Sequence, residues 1–529
     1  MICLADWRIR ASLLTCFIVA PFLKFIAENE YGFLHAEVAA GAVLLLIPCL
    51  LLGWLARGKA FYVVAGFCIV MAGTYPLVHL AKPLFRMRLW EGAALLTLGS
   101  AALMKLMRER FFPVIAVFAW SGVLAATGLH AHVNLRGALG LDGNRSGNVL
   151  WLLLDEEMGP GGFPARPECD AAREKLSQTL LKYNFTLFPN AYSNYAGTID
   201  SVPSILNGRL LQSAGELIVQ TGEGNLRQYQ IRANSTFEGF AAQGYHVIGY
   251  QHSSMRMCDP SFASAECREY AEGLPRLHDV GTWLDRFQWL VGNYQASDPW
   301  MVKARGFFPF HLRMRITGPL GLADLWPDRL AREILKEKKR TFFFVHLMTP
   351  HSPYLYRPDG SIRHMKEWIE DRADERVTGS EYDHRYGRYC EQVQFVAGQL
   401  DSFLRTLKWS GDLESMTVVI HGDHGSRIRR LLRPAPGNAS SEDVDAEEID
   451  FVDPPPTRDL LDRFSTLLAV KRAGAKAAAV DQEKHSVLTL LSRVLYHREP
   501  RDGAQASDRV YLFDSQKRYR PIDILKYWR

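Results

Sequence analysis

The 529-residue chain lacks the short signatures of several large enzyme classes. It has no Walker loop, no G-x-G-x-x-G placed after a strand, no C-x-x-C pair and no internal repeat. Those absences set aside a P-loop nucleotidase, a dinucleotide-binding oxidoreductase, a dithiol or zinc-ribbon site and a solenoid. A strong excess of one charge sign is also missing. Lys and Arg number 62 against 57 Asp and Glu, and a net +5 over this length gives no argument for nucleic acid. Charged residues are 22% and hydrophobic ones 48%, so the chain as a whole is not disordered. The length allows about three folded units.

What is present divides into two unlike parts. Residues 1–131 carry five long apolar runs, at about 10–28, 34–56, 60–81, 88–106 and 112–131. Each is close to the ~20 residues that cross a bilayer as a helix, where the helix satisfies its own backbone groups. The spacing predicts a five-helix transmembrane domain over residues 1–131. Arg8 and Arg10, Arg57 and Lys59, and Lys105, Arg108 and Arg110 lie in alternate loops and place those loops and the N-terminus in the cytoplasm. Lys82, Arg86 and Arg88 argue the other way, but the balance favours this topology. Everything after about residue 132 then lies outside the cytoplasm. No small-residue cleavage site follows the first run, so it reads as an anchor.

Residues 132–147 form a polar connector, and residues 148–529 read as one extracytoplasmic α/β domain. Asn148–Leu154 (NVLWLLL) is a continuous apolar run suited to a strand buried on both faces. Tyr245–Tyr250, Thr341–Leu347 and Met416–Ile420 are of the same kind. They alternate with expected helices from about 235 to 244, 327 to 338 and 384 to 408. Arg463–Val470 reads as a further strand. This alternation predicts a mostly parallel sheet between helices, with ligands bound at the carboxyl ends of its strands. Cys258 and Cys267 enclose a short loop and form a candidate disulfide; Cys169 with Cys390 is a second pairing.

The strand ends carry metal-ligand chemistry. The first ends in Asp155-Glu156-Glu157, where Glu157 is also a candidate helix cap. Met416–Ile420 runs into His421-Gly-Asp423-His424-Gly425, whose glycines suit a tight turn. A carboxylate beside an imidazole suits Zn or Mn better than Ca; Mg and Ca remain possible. Thr341–Leu347 contains His346, structural or functional on sequence grounds, and is followed by His351 between two prolines. In Asn194–Arg209, Gly197-Thr198 leads toward a helix near Ser201–Leu206. A hydroxyl there sits in the positive field of the helix start, although Thr198 or Ser201 also suits an ordinary N-cap.

Taken together these residues resemble the alkaline phosphatase superfamily, which includes sulfatases, phosphodiesterases, lipoteichoic acid synthases and lipid A phosphoethanolamine transferases. The resemblance covers about residues 148–500. It implies an alkaline-phosphatase-like domain with metal ligands Asp155 and/or Glu156, Asp423 and His424. Thr198 falls at the nucleophile position, ten residues before Gly208 of the L-x-G-R stretch Leu206–Arg209. His351 corresponds to the histidine that contacts the transferred anion. Sulfatases carry Cys or Ser at the nucleophile position, and Pro and Arg where this chain has Asp200 and Val202, so a formylglycine enzyme is disfavoured. His346, His351 and His485, with Asp359 and Asp383, are candidates for a second metal.

The expected function is a metal-dependent phosphoalkyl transferase of phosphoethanolamine or phosphoglycerol type, using a membrane phospholipid donor and a lipid or glycan acceptor through a covalent Thr198 intermediate. It would sit in the bacterial inner membrane as a multi-pass protein. The alternatives are a membrane-anchored phosphodiesterase or sulfatase-like hydrolase, and a non-enzymatic envelope protein. The acidic, Pro-rich stretch 434–457 reads as a surface loop. Arg427, Arg429, Arg430 and Arg433 read as an anion-binding or solvated basic face.

Overall fold

The computed structural model describes isolated positions between 7 and 26 and residues 35–55. It then describes 147–221 and, with interruptions, 228–270, four positions between 283 and 290, 326–363 without 338, 367, 379–428, 457–496, 508–513 and 519–528. The expected runs at 60–81, 88–106 and 112–131 lie outside the described residues, as do most of the connector and loop residues 434–456. The chain divides into two compact units, Met1–Gly140 with Val280–Arg315, and Leu141–Asp279 with Ile316–Arg529.

In the first unit, α1 (Ala36–Leu55) is 20 residues long and apolar enough to cross a membrane. At ~1.5 Å per residue it is about 30 Å long, the thickness of a bilayer core. Val43, Leu44, Leu51, Trp54 and Leu55 are exposed, which suits a lipid-facing side. Its buried side uses small residues. A Cβ on Gly53 would lie 2.6 Å from the Ala11 backbone, and one on Gly41 would meet the Phe22 ring. Close approach of this kind is how helices pack where water supplies no drive. Arg10 Nε donates to Gly53 O at 2.9 Å, so the first run is packed against the second. This is the only helix both long and apolar enough to cross a membrane among the described residues; a five-helix domain is not established.

The second unit is built on an eight-stranded sheet. Its centre is β1 (Val149–Leu154), parallel on one side to β8 (Thr341–Leu347) and on the other to β9 (Thr417–Gly422). β5 (His246–His252) lies parallel to β8 and to β7 (Glu266–Tyr270). β10 (Leu468–Lys471) runs antiparallel to β9 and to β2 (Thr186–Leu187), and β11 (Ala479–Val480) completes that edge. The mostly parallel sheet is thus observed, with one reversed strand.

Alternation places the two halves of each strand run on opposite faces. Leu150, Leu152 and Leu154 join Phe343, Val345, Val418 and Ile420 under α2 (Pro167–Lys182), α5 (Asp328–Lys336) and α6 (Gly379–Trp409). Val149, Trp151 and Leu153 join Phe342, Phe344 and Val419 under α3 (Thr198–Asn207), α4 (Ser235–Ala242) and α8 (Val487–Tyr496). Burying each such side chain contributes on the order of 1.5–3 kcal/mol, so both faces are strongly specified. A disulfide between Cys169 and Cys390 ties α2 to α6, and a second joins Cys258 and Cys267.

The expected strand Arg463–Val470 is corrected. Arg463 and Phe464 end α7 (Thr457–Phe464), and only Leu468–Lys471 pairs in the sheet. In Thr457–Phe464 the apolar residues Leu460 and Phe464 recur one helical turn apart and both are buried. A run of apolar letters spanning a helix end and a strand start has no period of its own. The small strands β3 (Ile218–Thr221), β4 (Gln228–Ile231) and β6 (Met255–Arg256) form a separate sheet. A C-terminal hairpin joins β12 (Val510–Phe513) and β13 (Tyr519–Ile522).

Candidate active site

The sheet delivers the candidate residues to one place by register. Leu153 of β1 is paired with His346 of β8 on one side and His421 of β9 on the other. Asp155 and Asp423 each lie two residues beyond, so alternation carries them to the face on which α3 packs. Thr198 is the first residue of α3, after the extended N-cap Gly197; no side chain caps that end. Neither Thr198 nor Ser201 is therefore the N-cap. Ser201 Oγ instead donates to Asp423 O at 2.6 Å and meets Ser193 Oγ at 2.8 Å, tying α3 to the loop after β9.

Asp155, Asp423 and His424 form one cluster. They are buried, and one ligand atom from each lies within 4.8 Å of the others. His424 Nδ1–H donates to Gly425 O at 2.8 Å, which leaves the Nε2 lone pair facing the cluster. That lone pair is 3.3 Å from Asp423 Oδ2. Neither Asp423 Oδ2 nor Asp155 Oδ1 receives a hydrogen bond from a described residue. Carboxylate oxygens and an imidazole nitrogen gathered in a buried site suit a cation among them. This set therefore fits a divalent metal. Thr198 Oγ1 lies 3.1 Å from the same Nε2.

Glu156, the fourth ligand candidate, is placed differently. Its N–H donates to Asp423 Oδ1 at 3.0 Å, but its carboxylate turns to the mouth of the cleft. Oε1 accepts from Arg427 Nη2 at 2.6 Å and lies 3.5 Å from His351 Nε2; Oε2 accepts from Ser352 N–H at 3.2 Å. Burial alone would raise this carboxyl, yet His351, Arg427 and His424 together hold it below the usual range. Glu157 points the other way. It is fully buried, neither carboxyl oxygen receives a hydrogen bond from a described residue, and burial pushes its pKa well up. It caps no helix.

His346 Nε2 meets Asp155 Oδ2 at 3.0 Å, so it orients that carboxylate. His421 is held within the sheet. Its Nε2 accepts from Trp151 Nε1–H at 2.5 Å, its Nδ1–H donates to Gly422 O at 2.5 Å, and burial lowers its pKa to about 4. His252, at the end of β5, was not singled out in sequence. It is buried beside His346 and His351, and burial first, then those two rings, lower its pKa to about 4. The available signal was its place two residues beyond the apolar run Tyr245–Tyr250. Of the further metal candidates, His485 bonds Asp481 at 3.1 Å, Asp359 holds a turn at Ser361, and Asp383 pairs with Arg166. Arg429, Arg430 and Arg433 lie outside the described residues.

The two glycines of the β9 loop serve approach rather than turning. A Cβ on Gly422 would lie 2.2 Å from Glu157 O, and one on Gly425 would lie 2.0 Å from Asp462 O. Neither residue has a positive φ. Glycine is needed because neighbouring backbone fills the space.

A doubly covered parallel sheet that gathers carboxylates, an imidazole and a hydroxyl at its strand ends defines a metal-dependent hydrolase or phosphotransferase. The sulfatase family model matches residues 148–447, more than half of the chain, and the chain belongs to the sulfatase family. No curated protein matches it in sequence. Similar solved structures include the lipoteichoic acid synthase LtaP from Listeria monocytogenes, 12% identical, covering 72% of this chain and 81% of that one with a TM-score of 0.35. The periplasmic domain of EptC from Escherichia coli is 12% identical over 63% and 74%, with a TM-score of 0.34. A phosphonate monoester hydrolase of Agrobacterium radiobacter is 12% identical over 69% and 79%, with a TM-score of 0.37.

Proposed function

We propose that the protein is a membrane-anchored phosphoalkyl transferase that moves a phospholipid head group, of phosphoethanolamine or phosphoglycerol type, to a lipid or glycan acceptor through Thr198. The observation that carries this reading is the position of Thr198 Oγ1, 3.1 Å from His424 Nε2 at the start of a helix. Threonine cannot become formylglycine, so its own hydroxyl is the nucleophile. Asp155, Asp423 and His424 hold the metal, with Zn or Mn favoured by two carboxylates and one imidazole. When bound, a divalent cation supplies the positive charge that lowers the hydroxyl pKa and offsets charge on the transferred group.

The chain's own groups do the rest. Thr198 Oγ1, its proton released to solvent, forms a bond to phosphorus in line as the bond from phosphorus to the diacylglycerol oxygen breaks, assisted by the positive end of α3; the diacylglycerol leaves with the proton that His351 supplies. His351, a quarter exposed at the mouth, binds the ester's anionic oxygens and holds a proton at the leaving oxygen. His346 keeps Asp155 in place, and Ser201 keeps the Asp423 backbone in place. The acceptor hydroxyl then displaces Thr198. α1 supports anchoring in a membrane, where the donor is concentrated. The two disulfides support a catalytic domain outside the cytoplasm, and the protein is read as multi-pass in a bacterial inner membrane.

The test is head-group release from phospholipid vesicles by the full-length, metal-loaded protein beside Thr198→Ala. Release by the parent and none by the variant, with metal content equal, is expected. Equal release by both rejects Thr198. Release to water at the same rate with and without acceptor favours the hydrolase.

A further inference from the structure

An arginine and a histidine border the mouth above the buried cluster: Arg427, 22% exposed, and His351, 25% exposed. Glu156 stands between them. Two arms of Arg427, Nη2 at 2.6 Å and Nε at 3.3 Å, donate to the same oxygen, Glu156 Oε1. Nη1 lies 4.0 Å from where a Cβ on Gly197 would be, next to Thr198. The guanidinium thus reaches from Glu156 to the nucleophile turn. Glu156 adopts φ +63°, a left-handed conformation that a non-glycine residue rarely takes, and its N–H bond to Asp423 Oδ1 holds it there. Backbone strain retained at the rim, with both carboxylate oxygens engaged, is the pattern of a group placed for function.

We propose that Glu156 is the fixed counter-ion of Arg427, and that this neutralised pair makes the cleft select esters with one negative charge, phosphodiesters and sulfate monoesters, against dianionic phosphate monoesters. The inference rests on the reading of the cleft as the site beside Thr198 where ester is bound. A monoanionic ester accepts hydrogen bonds from the guanidinium while Glu156 keeps its place. A dianionic ester brings a second charge against the Glu156 carboxylate, whose bonds to Arg427 and Ser352 leave it no room to withdraw. Like charges at contact distance in a half-buried site separate two ligands by roughly tenfold or more in affinity. The selection thereby favours a diester donor and disfavours its monoester product.

The test is calorimetric binding to metal-loaded, full-length Thr198→Ala protein in detergent, with methyl phenyl phosphate as monoanion and phenyl phosphate as dianion. At about pH 8 the monoester, with a second pKa near 6, carries both charges. The Thr198→Ala protein should bind the monoanion about tenfold tighter or more. Adding Glu156→Gln should narrow that ratio about tenfold through tighter phenyl phosphate binding, with metal content unchanged. Adding Arg427→Gln instead should widen it, because Glu156 is then uncompensated. An unchanged ratio in Glu156→Gln, loss of metal from that variant, a narrower ratio in Arg427→Gln, or no binding of either ester would each overturn the proposal. These ratios do not depend on whether Thr198 forms an adduct, so the two readings fail separately.

Discussion

Removal of divalent metal is expected to lower the thermal midpoint of the protein by about 3 °C. Asp155, Asp423 and His424 are buried, and Asp423 Oδ2 faces the His424 Nε2 lone pair at 3.3 Å. Unfolding scatters these atoms, so a cation that binds them binds only the folded chain. At a free concentration about a hundred times its Kd, such a ligand stabilises by about 2.7 kcal/mol. Spread over an unfolding entropy of about 2.1 cal/mol/K per residue for the roughly 380 residues from 148 onward, this is a shift of about 3 °C. The assay is tryptophan-monitored melting of detergent-solubilised full-length protein in chelator, then in excess Zn or Mn. His424→Ala and Asp423→Asn each remove a ligand and should collapse the difference. A shift of undiminished size in both variants would refute the reasoning, because the cation would then be held elsewhere.

Gly425→Ala places a methyl group 2.0 Å from Asp462 O, a backbone atom that cannot rotate away. A loss of about 1–3 kcal/mol in denaturant midpoint is expected, and wild-type stability would show that the β9 loop shifts freely. His421 is buried neutral with a pKa of about 4 against an ordinary 6.5, so the unfolded chain takes its proton first on acidification. Its contribution is complete above about pH 6.5 and falls by about 3 kcal/mol as pH drops to 4. The stability–pH curve of His421→Gln should be flatter over that window; a parallel curve would contradict this. The Cys169–Cys390 bridge closes a sequence separation of 221, and Cys169→Ala with Cys390→Ala should cost about 2–5 kcal/mol. An unchanged melting profile in that double variant would show that α2 and α6 are held by packing alone.

The strands were legible where both faces are buried. Asn148–Leu154, Thr341–Leu347 and Met416–Ile420 are continuous apolar runs, and each lies within one residue or two of an observed strand. Their polar ends also pointed to Asp155, Asp423 and His424 as candidate ligands, and the structure brings those three side chains together. Edge strands were not legible. β2 and β11 are two residues each and exist only through pairing with chain far away in sequence. The reversed β10 follows a helix end that shares its apolar run, and no local period separates them. The destination of Glu156 was equally hidden. Its side chain is fixed by Arg427, 271 residues away, and sequence alone leaves two adjacent carboxylates equivalent as ligands. The pairing of Cys169 with Cys390 was a candidate in the sequence, and the packing of α2 on α6 brings the two together. Gly422 and Gly425 were read as turn formers, because the backbone that crowds them comes from elsewhere in the chain.

The account turns on covalent chemistry at Thr198, and intact mass tests it most directly. Full-length, metal-loaded protein is incubated with mixed phospholipids and its mass is compared with that of Thr198→Ala. A mass increase equal to one phosphorylated head group, mapped to Thr198, absent from the variant and discharged by an acceptor glycan or lipid, is the predicted result. The same adduct in Thr198→Ala, or turnover of phospholipid with an adduct mapped to another residue, would contradict it.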